Sequence, residues 1–386
     1  MFIFMIIIAL ALYSGINFWI GLRAWQGLFK YLPHAANFRA TYWVLFALVA
    51  FSYILGRSIQ NFFPATLNRI IAWVGSYWMA AMFYLVLILF VFEIFSLADR
   101  FLHILPMSIK ENPSFPLVIG LTIFLVITGI LAYGSWNAMN PQIHRYELTI
   151  NKRAGELNDL HLVMVSDIHL GTIHQNSTLT GLVERVNKLD PDLILLAGDV
   201  LDENVEVFIE QNMADTFKLL KAKYGVFASL GNHEYIGGHS EEAIQYLGEG
   251  GVKVLRDEAL QVADSFYVIG RDDASGGRFR GVKRSDLHPL VEPLDRSHPL
   301  ILLDHQPSQI DEAVAEGIDV QFSGHTHRGQ MWPNQYITQR IFPLDWGLLQ
   351  KGNFNLIVSN GYGTWGPPIR IGNQPEIVDM HIKFTP

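Results

Sequence analysis

Long apolar runs dominate the first 140 residues of the chain, and short polar stretches separate them. Each run approaches or exceeds the roughly 17 residues that a helix needs to cross a hydrocarbon core of about 30 Å. The pattern predicts a transmembrane region, residues 1–140, with helices at about 2–20, 40–56, 70–92 and 115–136. No basic segment precedes the first run and no small-residue cleavage site follows it, so we predict a retained helix rather than a cleaved signal peptide.

The connection between the first two runs is itself partly apolar. Leu22, Trp25, Phe29 and Leu32 recur there at helical spacing, opposite polar positions. This spacing is typical of an amphipathic helix that lies in the membrane interface, and it equally fits a continuation of the first helix. The sequence leaves both alternatives open.

Basic residues between the runs indicate an orientation. The connections after the first and third runs carry five Lys and Arg together, against two in the connection after the second run. By the positive-inside rule, this count places the C-terminal part outside the cytoplasm. Three further basic residues follow the last run, namely Arg145, Lys152 and Arg153. If they were counted, the two sides would carry equal numbers of Lys and Arg. We predict a multi-pass cell-membrane protein with an extracytoplasmic C-terminal domain.

The rest of the chain has a different pattern and a different charge. From Tyr146 onward, short β-rich runs alternate with helical patterns, which is typical of a layered α/β domain, predicted here at residues 145–386. About 22% of the residues after Asn140 are charged, against about 7% before it, so the two parts are solvated differently. The second part has a net charge of about −12, which argues against a nucleic-acid partner because phosphate binding needs clustered Lys and Arg.

Polar side chains follow five of the predicted strands. The candidate metal ligands at these strand ends are Asp167, His169, Asp199, Asn232, His305, His325 and His327. Because open α/β sheets bind ligands at the carboxyl ends of their strands, we expect these residues to converge. The chain has no cysteine, so any metal must be held by nitrogen and oxygen. Such a set suits Mn, Zn, Fe or Co better than calcium, and it can build two sites that share a carboxylate.

The order of these motifs carries a family resemblance. Asp-x-His, Gly-Asp-x-x-Asp, Gly-Asn-His-Glu, a lone His and Gly-His-x-His resemble the calcineurin-like metallophosphoesterases over about residues 145–386. The runs Ser323 to Gln330 and Asn360 to Arg370 resemble the membrane-anchored bacterial branch, which includes some UDP-diacylglucosamine pyrophosphohydrolases. The resemblance implies a four-layer α/β/β/α sandwich and two bound divalent metal ions.

The resemblance also assigns roles by motif position. It implies that the first metal is held by Asp167, His169, Asp199 and His327, and the second by Asp199 as a bridge, Asn232, His305 and His325. It implies that His233 is a catalytic histidine that binds no metal and that Asp202 is its partner. Asp202 is followed by Glu203 where many relatives have Arg, so an ion pair near the metals is absent or supplied elsewhere.

Two arginines are candidate substrate ligands. Arg328 stands where many members of the branch have Gly, and it can either grip a substrate phosphate or pair with a nearby acid. Arg370, in the C-terminal motif, is the second candidate. The charged run Arg271 to Asp273 after another strand can either rim the cleft or form a solvated turn, and we predict the turn. The other histidines lack motif context, so we predict surface or packing roles for them.

These groups predict hydrolysis of a phosphoester or pyrophosphate bond. Two cations roughly 3.5 to 4 Å apart acidify a bridging water, whose hydroxide attacks phosphorus in line. Asn232 and His233 stabilise the phosphoryl oxygens, and His233 protonates the leaving oxygen. Asp202 holds either the His233 ring or a metal ligand in the right tautomer.

Four spans exceed what an anchor requires, which predicts a lipid bilayer as partner and a phosphorylated substrate that is lipid-linked, such as a nucleotide-lipid. The alternative is a non-catalytic membrane sensor or scaffold that uses a metal-binding phosphoesterase fold.

Overall fold

The computed structural model describes residues 2–58, 64–281 and 283–385, and the chain divides into two compact units, Met1–Ser135 and Trp136–Pro386. The first unit is helical. Its helices are α1 (Phe2–Gly27), α2 (Ala35–Ser58), α3 (Ala65–Leu102), α4 (Met107–Lys110) and α5 (Phe115–Ala138), the last of which ends in the second unit. All but α4 are long and apolar enough to cross a membrane, as predicted from the apolar runs. Leu22 and Trp25 lie within α1, so the connection after the first run begins as a continuation of that helix.

Polar side chains of the first unit form hydrogen bonds between its helices. Asn17 of α1 accepts a hydrogen bond from Trp78 Nε1 of α3 at 2.9 Å, and the hydroxyl groups of Tyr77 and Ser135 lie 2.8 Å apart. Helix–helix contacts in membranes are stabilised by such polar pairs, because hydrocarbon offers them no other partner.

The second unit contains two six-stranded sheets. The first has the order β1-β12-β2-β3-β4-β5 and the second β10-β11-β9-β8-β7-β6. The strands are β1 (Gln142–Ile150), β2 (Asp159–Val165), β3 (Leu193–Ala197), β4 (Val226–Ser229), β5 (Val252–Val254), β6 (Glu258–Val262), β7 (Phe266–Gly270), β8 (Leu300–Leu303), β9 (Val320–Ser323), β10 (Gly347–Lys351), β11 (Phe354–Val358) and β12 (Glu376–Phe384). The helices are α6 (Asn176–Leu189), α7 (Glu206–Glu210), α8 (Met213–Phe217), α9 (Asn232–Ile236), α10 (Ser240–Glu249), α11 (Gly276–Arg280), α12 (His288–Val291), α13 (Ile310–Ala315) and α14 (Gln335–Ile341).

Three apolar layers hold these elements together. Alternate residues of the central strands, such as Leu162 and Phe322, fill the space between the sheets. On the outer face of the first sheet, Val163 packs with the apolar side of α6. On the outer face of the second, Leu300 packs with Ile310 of α13. Strands that are buried on both faces have continuous apolar sequences. The three layers together give the predicted α/β/β/α order of helices and sheets.

The parallel central strands bring their carboxyl ends to one edge of each sheet. In the first sheet, β2, β3 and β4 are parallel neighbours, and in the second β7, β8 and β9 are. The five strand ends that carry the candidate ligands belong to these two sets. The sheet order therefore produces the convergence that the motifs predicted.

The prediction of a solvated turn at residues 271–273 is wrong, because all three side chains are buried. Arg271 Nη1 lies 2.8 Å from Glu312 Oε2, and Arg256 Nε lies 3.0 Å from Asp272 Oδ1. The turn follows the inner strand β7, where neighbouring loops cover it, and burial forces each charge to find a partner.

Candidate metal centre

All seven predicted ligands lie together at the carboxyl ends of the strands. Asp167, His169 and His327 form one group, and Asp199, His305 and His325 form another; within each, the ligand atoms lie within 4.8 Å of one another. The amide oxygen of Asn232, at the start of α9, is 2.7 Å from His325 Nδ1 and thereby joins the second group.

The carboxylate of Asp199 lies between the two groups. Its Oδ2 is 3.1 Å from His305 Nε2 and 3.9 Å from His169 Nε2. Its Oδ1 accepts a hydrogen bond from the backbone N–H of His233 at 2.9 Å, which holds the carboxylate in place. A single carboxylate so placed is within reach of ions on both sides.

The backbone of the ligand loops is strained. Five ligands, namely Asp167, His169, Asp199, His325 and His327, have φ between +45° and +70°. Non-glycine residues adopt this left-handed region at a cost on the order of 1 kcal/mol or more, unless the surroundings impose it. Here Asp167 N–H donates to Gly198 O and His169 N–H to Asp199 O, each at 3.0 Å, so neighbouring loops fix one another.

Two glycines permit this close approach of the loops. Gly198 has φ of +79° and lies directly against the His305 ring, and a Cβ at Gly324 would overlap the Asp167 carboxylate. Gly198 is therefore required for both its backbone angle and its small size, and Gly324 for its small size alone.

The donor set fits divalent metal ions. The Nδ1 of the fully buried His305 donates to Ala197 O at 2.8 Å, so Nε2 is the nitrogen left to face Asp199. That Nε2 has no partner in hydrogen-bond geometry among the described residues. In the other group, His169 Nε2 and His327 Nε2 approach to 3.0 Å beside Asp167. A cation between these groups would accept the imidazole lone pairs and neutralise the carboxylates.

Electrostatics favour the ligand forms of most of these groups. Burial lowers the pKa of His169 to about 3 and the pKa of His325 to about 4, so both imidazoles are neutral, as metal binding requires. Burial raises the pKa of Asp199, but the charges of His305 and His233 outweigh it and hold this pKa well below its usual range. Burial lowers the pKa of His305, and the Asp199 carboxylate more than reverses this, so a proton and a cation compete for Nε2.

His233 lies beside the ligands with a partner of its own. Its Nδ1 donates to Asp202 Oδ1 at 3.0 Å, and its ring centroid is 4.5 Å from that of His169. It also lies near enough to His169 and Asp199 to form a third group of possible ligands. Burial lowers the pKa of His233, but Asp199 and Asp202 raise it to about 9. At neutral pH the ring is therefore a cation, the form that can donate a proton.

Comparison with known proteins agrees with this geometry. The calcineurin-like phosphoesterase family profile matches residues 160–329. An uncharacterized metallophosphoesterase of Campylobacter jejuni is 31% identical over 72% of this chain and 75% of its own length. One from Aquifex aeolicus is 33% identical over 65% of this chain and 95% of its own length. This chain belongs to the calcineurin-like metallophosphoesterase family.

A membrane-associated relative is also similar to this metallophosphoesterase. The zebrafish transmembrane protein with metallophosphoesterase domain is 31% identical over 67% of this chain, which spans 62% of that protein's length. The family prediction is confirmed. The names of these relatives state no substrate, so the resemblance to UDP-diacylglucosamine pyrophosphohydrolases stays a prediction.

The two candidate substrate arginines of the metallophosphoesterase are placed differently from each other. Arg370 is fully buried, donates to Gly361 O at 3.1 Å and Asn373 Oδ1 at 2.9 Å, and lies 3.3 Å from His327 Nδ1. It does not reach the open face of the site, so in this structure it positions His327 instead. Arg328 lies 4.3 Å above the ring of Trp346 and, within the described part of the chain, forms no ion pair with an acid.

Glu234 is a functional residue that the motif analysis missed. Its buried carboxylate accepts hydrogen bonds from Gly231 N–H at 2.7 Å and Leu201 N–H at 2.9 Å, and so ties together the two loops that carry Asn232 and Asp199. Burial and the nearby Asp199 charge raise the pKa of Glu234 to about 7. The spacing of Gly231 and Glu234 is that of a capping box, which is the sequence signal that identifies it.

Proposed function

We propose that this chain is a membrane-anchored phosphoesterase that holds two divalent metal ions and hydrolyses a phosphoester or pyrophosphate bond. The observation that supports it is the position of Asp199, 3.1 Å from His305 Nε2 and 3.9 Å from His169 Nε2. The first ion would be held by Asp167, His169, Asp199 and His327, and the second by Asp199, Asn232, His305 and His325. Mn, Zn, Fe and Co all suit this set of nitrogen and oxygen ligands.

The chain's own residues then supply binding and proton transfer. Two such ions, when bound, supply Lewis acidity toward a phosphoryl oxygen and toward the attacking water. His233 holds a proton on Nε2 while its Nδ1 donates to Asp202. Because the pKa of His233 is about 9, this proton is present at neutral pH, and it can pass to the leaving oxygen as the phosphorus–oxygen bond breaks. Asp202 keeps the ring oriented and stabilises its charge.

We further propose that the substrate is a lipid-linked phosphate or nucleotide-lipid. We also propose that the second unit, Trp136–Pro386, here called the catalytic unit, lies on the extracytoplasmic side. Four candidate membrane spans and the short connection between α5 and β1 support a substrate that resides in the bilayer. A reporter enzyme fused after the C-terminus tests the side directly. Activity of a periplasm-dependent reporter is expected, and activity only of a cytoplasm-dependent one contradicts the orientation.

Hydrolysis by the purified full-length protein tests the activity. We expect turnover of bis-p-nitrophenyl phosphate with added Mn²⁺, and a loss of about 10²-fold or more in His233→Ala and Asp199→Ala. His239→Ala is a matched control, because His239 is exposed and, among the described residues, its side chain pairs with Glu242 of the α10 helix that follows it. Equal inertness of wild type and variants over a broad panel of phosphoesters would favour the sensor or scaffold alternative.

A further inference from the structure

A second surface feature lies next to the metal centre. The segment 331–344, here called the interfacial segment, runs from the end of the last His motif through α14. Four of its large apolar or aromatic side chains are exposed by 49% to 65%, namely Trp332, Tyr336, Ile337 and Ile341. Three of them lie on α14, where Ile337 and Ile341 are four residues apart and share a face, and Tyr336 lies on the adjoining exposed side. A soluble domain rarely exposes such a contiguous patch unless it binds something.

The composition of the interfacial segment indicates what it binds. Its only charged residue is Arg340, and it contains no Asp or Glu, in a catalytic unit that is acidic overall. Arg340 shares the exposed face of α14 with Tyr336 and Ile337. Aromatic, aliphatic and basic side chains on one face, without acids, are the composition that partitions into the headgroup region of a bilayer.

The backbone links the interfacial segment to the end of the last candidate span. The side chain of Asn137, in the final turn of α5, is buried in the catalytic unit and donates to Arg370 O at 3.0 Å and Asn373 O at 2.7 Å. Between these residues, Ile371 O accepts the N–H of Trp332 at 2.8 Å. Trp332 is thus connected to a residue of a candidate membrane helix by two hydrogen bonds and the peptide bond between Arg370 and Ile371.

The interfacial segment is also linked to the catalytic groups. Gln330 immediately precedes it, and Gln330 Nε2 donates to Trp365 O at 3.0 Å. The ring of Trp365 is exposed and lies 6.3 Å from that of His233, centroid to centroid. The residue that precedes the interfacial segment is therefore hydrogen-bonded to a residue whose exposed ring lies next to His233.

We propose that the interfacial segment inserts into the headgroup region of the bilayer and places the metal centre against the membrane surface. The inserted face is Tyr336, Ile337, Arg340 and Ile341, with Trp332 at its edge. The surface explains how a phosphate at the level of lipid headgroups reaches His233 without leaving the membrane, and in this respect it rests on the proposed function. The insertion itself does not depend on catalysis.

The absence of cysteine from the chain permits a direct test. Ile337→Cys and Leu219→Cys, in full-length protein in phosphatidylcholine–phosphatidylglycerol nanodiscs, are labelled with an environment-sensitive NBD fluorophore. Leu219 is a matched control, because it is exposed and precedes the amino end of β4, away from the strand ends that carry the ligands. Nitroxide-labelled lipid should quench the label at position 337 several-fold more strongly than the label at position 219.

The other outcomes overturn the proposal. Equal quenching at both positions, or none at either, shows that the segment is not inserted. An apolar spectrum at position 337 without quenching by lipid shows that protein, such as a second copy of the chain, covers the patch.

Turnover separates this inference from the proposed function. Ile337→Ser/Ile341→Ser is expected to leave hydrolysis of soluble bis-p-nitrophenyl phosphate unchanged and to lower turnover of a vesicle-borne lipid phosphate about tenfold. An equal fall on both substrates contradicts a docking role. If wild type hydrolyses neither, the proposed function fails while the quenching result still decides the insertion.

Discussion

His233 Nδ1 donates to Asp202 Oδ1 across 3.0 Å, and this contact gives the site a proton donor that remains charged at neutral pH. Burial by itself favours the neutral imidazole, but the carboxylates of Asp199 and Asp202 raise the pKa of His233 to about 9. The neighbouring His169 is more deeply buried and lies 3.9 Å from Asp199 and 4.0 Å from Asp202, farther from Asp202 than His233 is, and its pKa is lowered to about 3. Two adjacent histidines thereby differ in charge at neutral pH: His233 is a cation, the form that can donate a proton, and His169 is neutral, the form that can bind a metal.

Asp202→Asn should shift the pH dependence of turnover. Hydrolysis that needs protonated His233 is present below the pKa of that residue and is lost as pH rises through it. Loss of the carboxylate lowers this pKa, so the basic limb of the kcat profile should move to lower pH, and kcat at neutral pH should fall about tenfold or more. Asp215→Asn is the control, since Asp215 is exposed and, within the part of the chain that the structure describes, its carboxylate pairs with Lys218. An unchanged basic limb would show that a group other than His233 controls the loss of activity at high pH.

His305→Ala should lower the metal content of the purified protein. His305 directs its only free ring nitrogen at Asp199, so its loss weakens the second group and leaves the first intact. Elemental analysis should find about two ions per chain in the wild type and about one in the variant. His288→Ala, at an exposed histidine beside Glu316, should retain both ions. Equal content in wild type and His305→Ala contradicts the assignment.

Gly324→Ala should impair the metal centre through a single methyl group. The added Cβ overlaps the Asp167 carboxylate and the Ser166 side chain, so one ligand loop must move. We expect a loss of about 10²-fold in turnover, because small displacements in a catalytic site are costly. Gly248→Ala is the control, because Gly248 lies in a helix and a Cβ there would meet open space. This change should stabilise the fold by about 0.5–1 kcal/mol. Normal activity in Gly324→Ala argues that the loop adapts.

Glu234→Gln should destabilise the catalytic unit although it is nearly isosteric. An amide retains one acceptor oxygen, so its NH₂ group faces either Gly231 N–H or Leu201 N–H and a buried hydrogen bond is lost. The expected cost is about 1–3 kcal/mol, visible as a lower midpoint in chemical denaturation. The exposed Glu241, which pairs with Arg256, serves as the control in Glu241→Gln and should change stability by less than about 1 kcal/mol.

The elements and ligand types follow closely from local sequence. Apolar runs of the right length predict the four long helices, and these helices extend beyond the runs because flanking residues such as Leu22 and Trp25 continue them. Strand-end motifs predict which side chains converge, since the carboxyl ends of parallel neighbours meet at one edge. Both signals depend on neighbours along the chain, which a single sequence displays directly.

Burial and pairing were decided by the tertiary structure. Arg370 has the same side chain as Arg328, yet it is enclosed by backbone carbonyls beside His327 while Arg328 lies on Trp346. The charges at residues 271–273 are buried because loops distant in sequence cover them. The sequence by itself determined the four long apolar helices, the alternation of strands and helices, and the motifs whose side chains converge. Only the tertiary structure decided which histidine is charged, because a pKa depends on desolvation and on charges brought together from five separate strand ends.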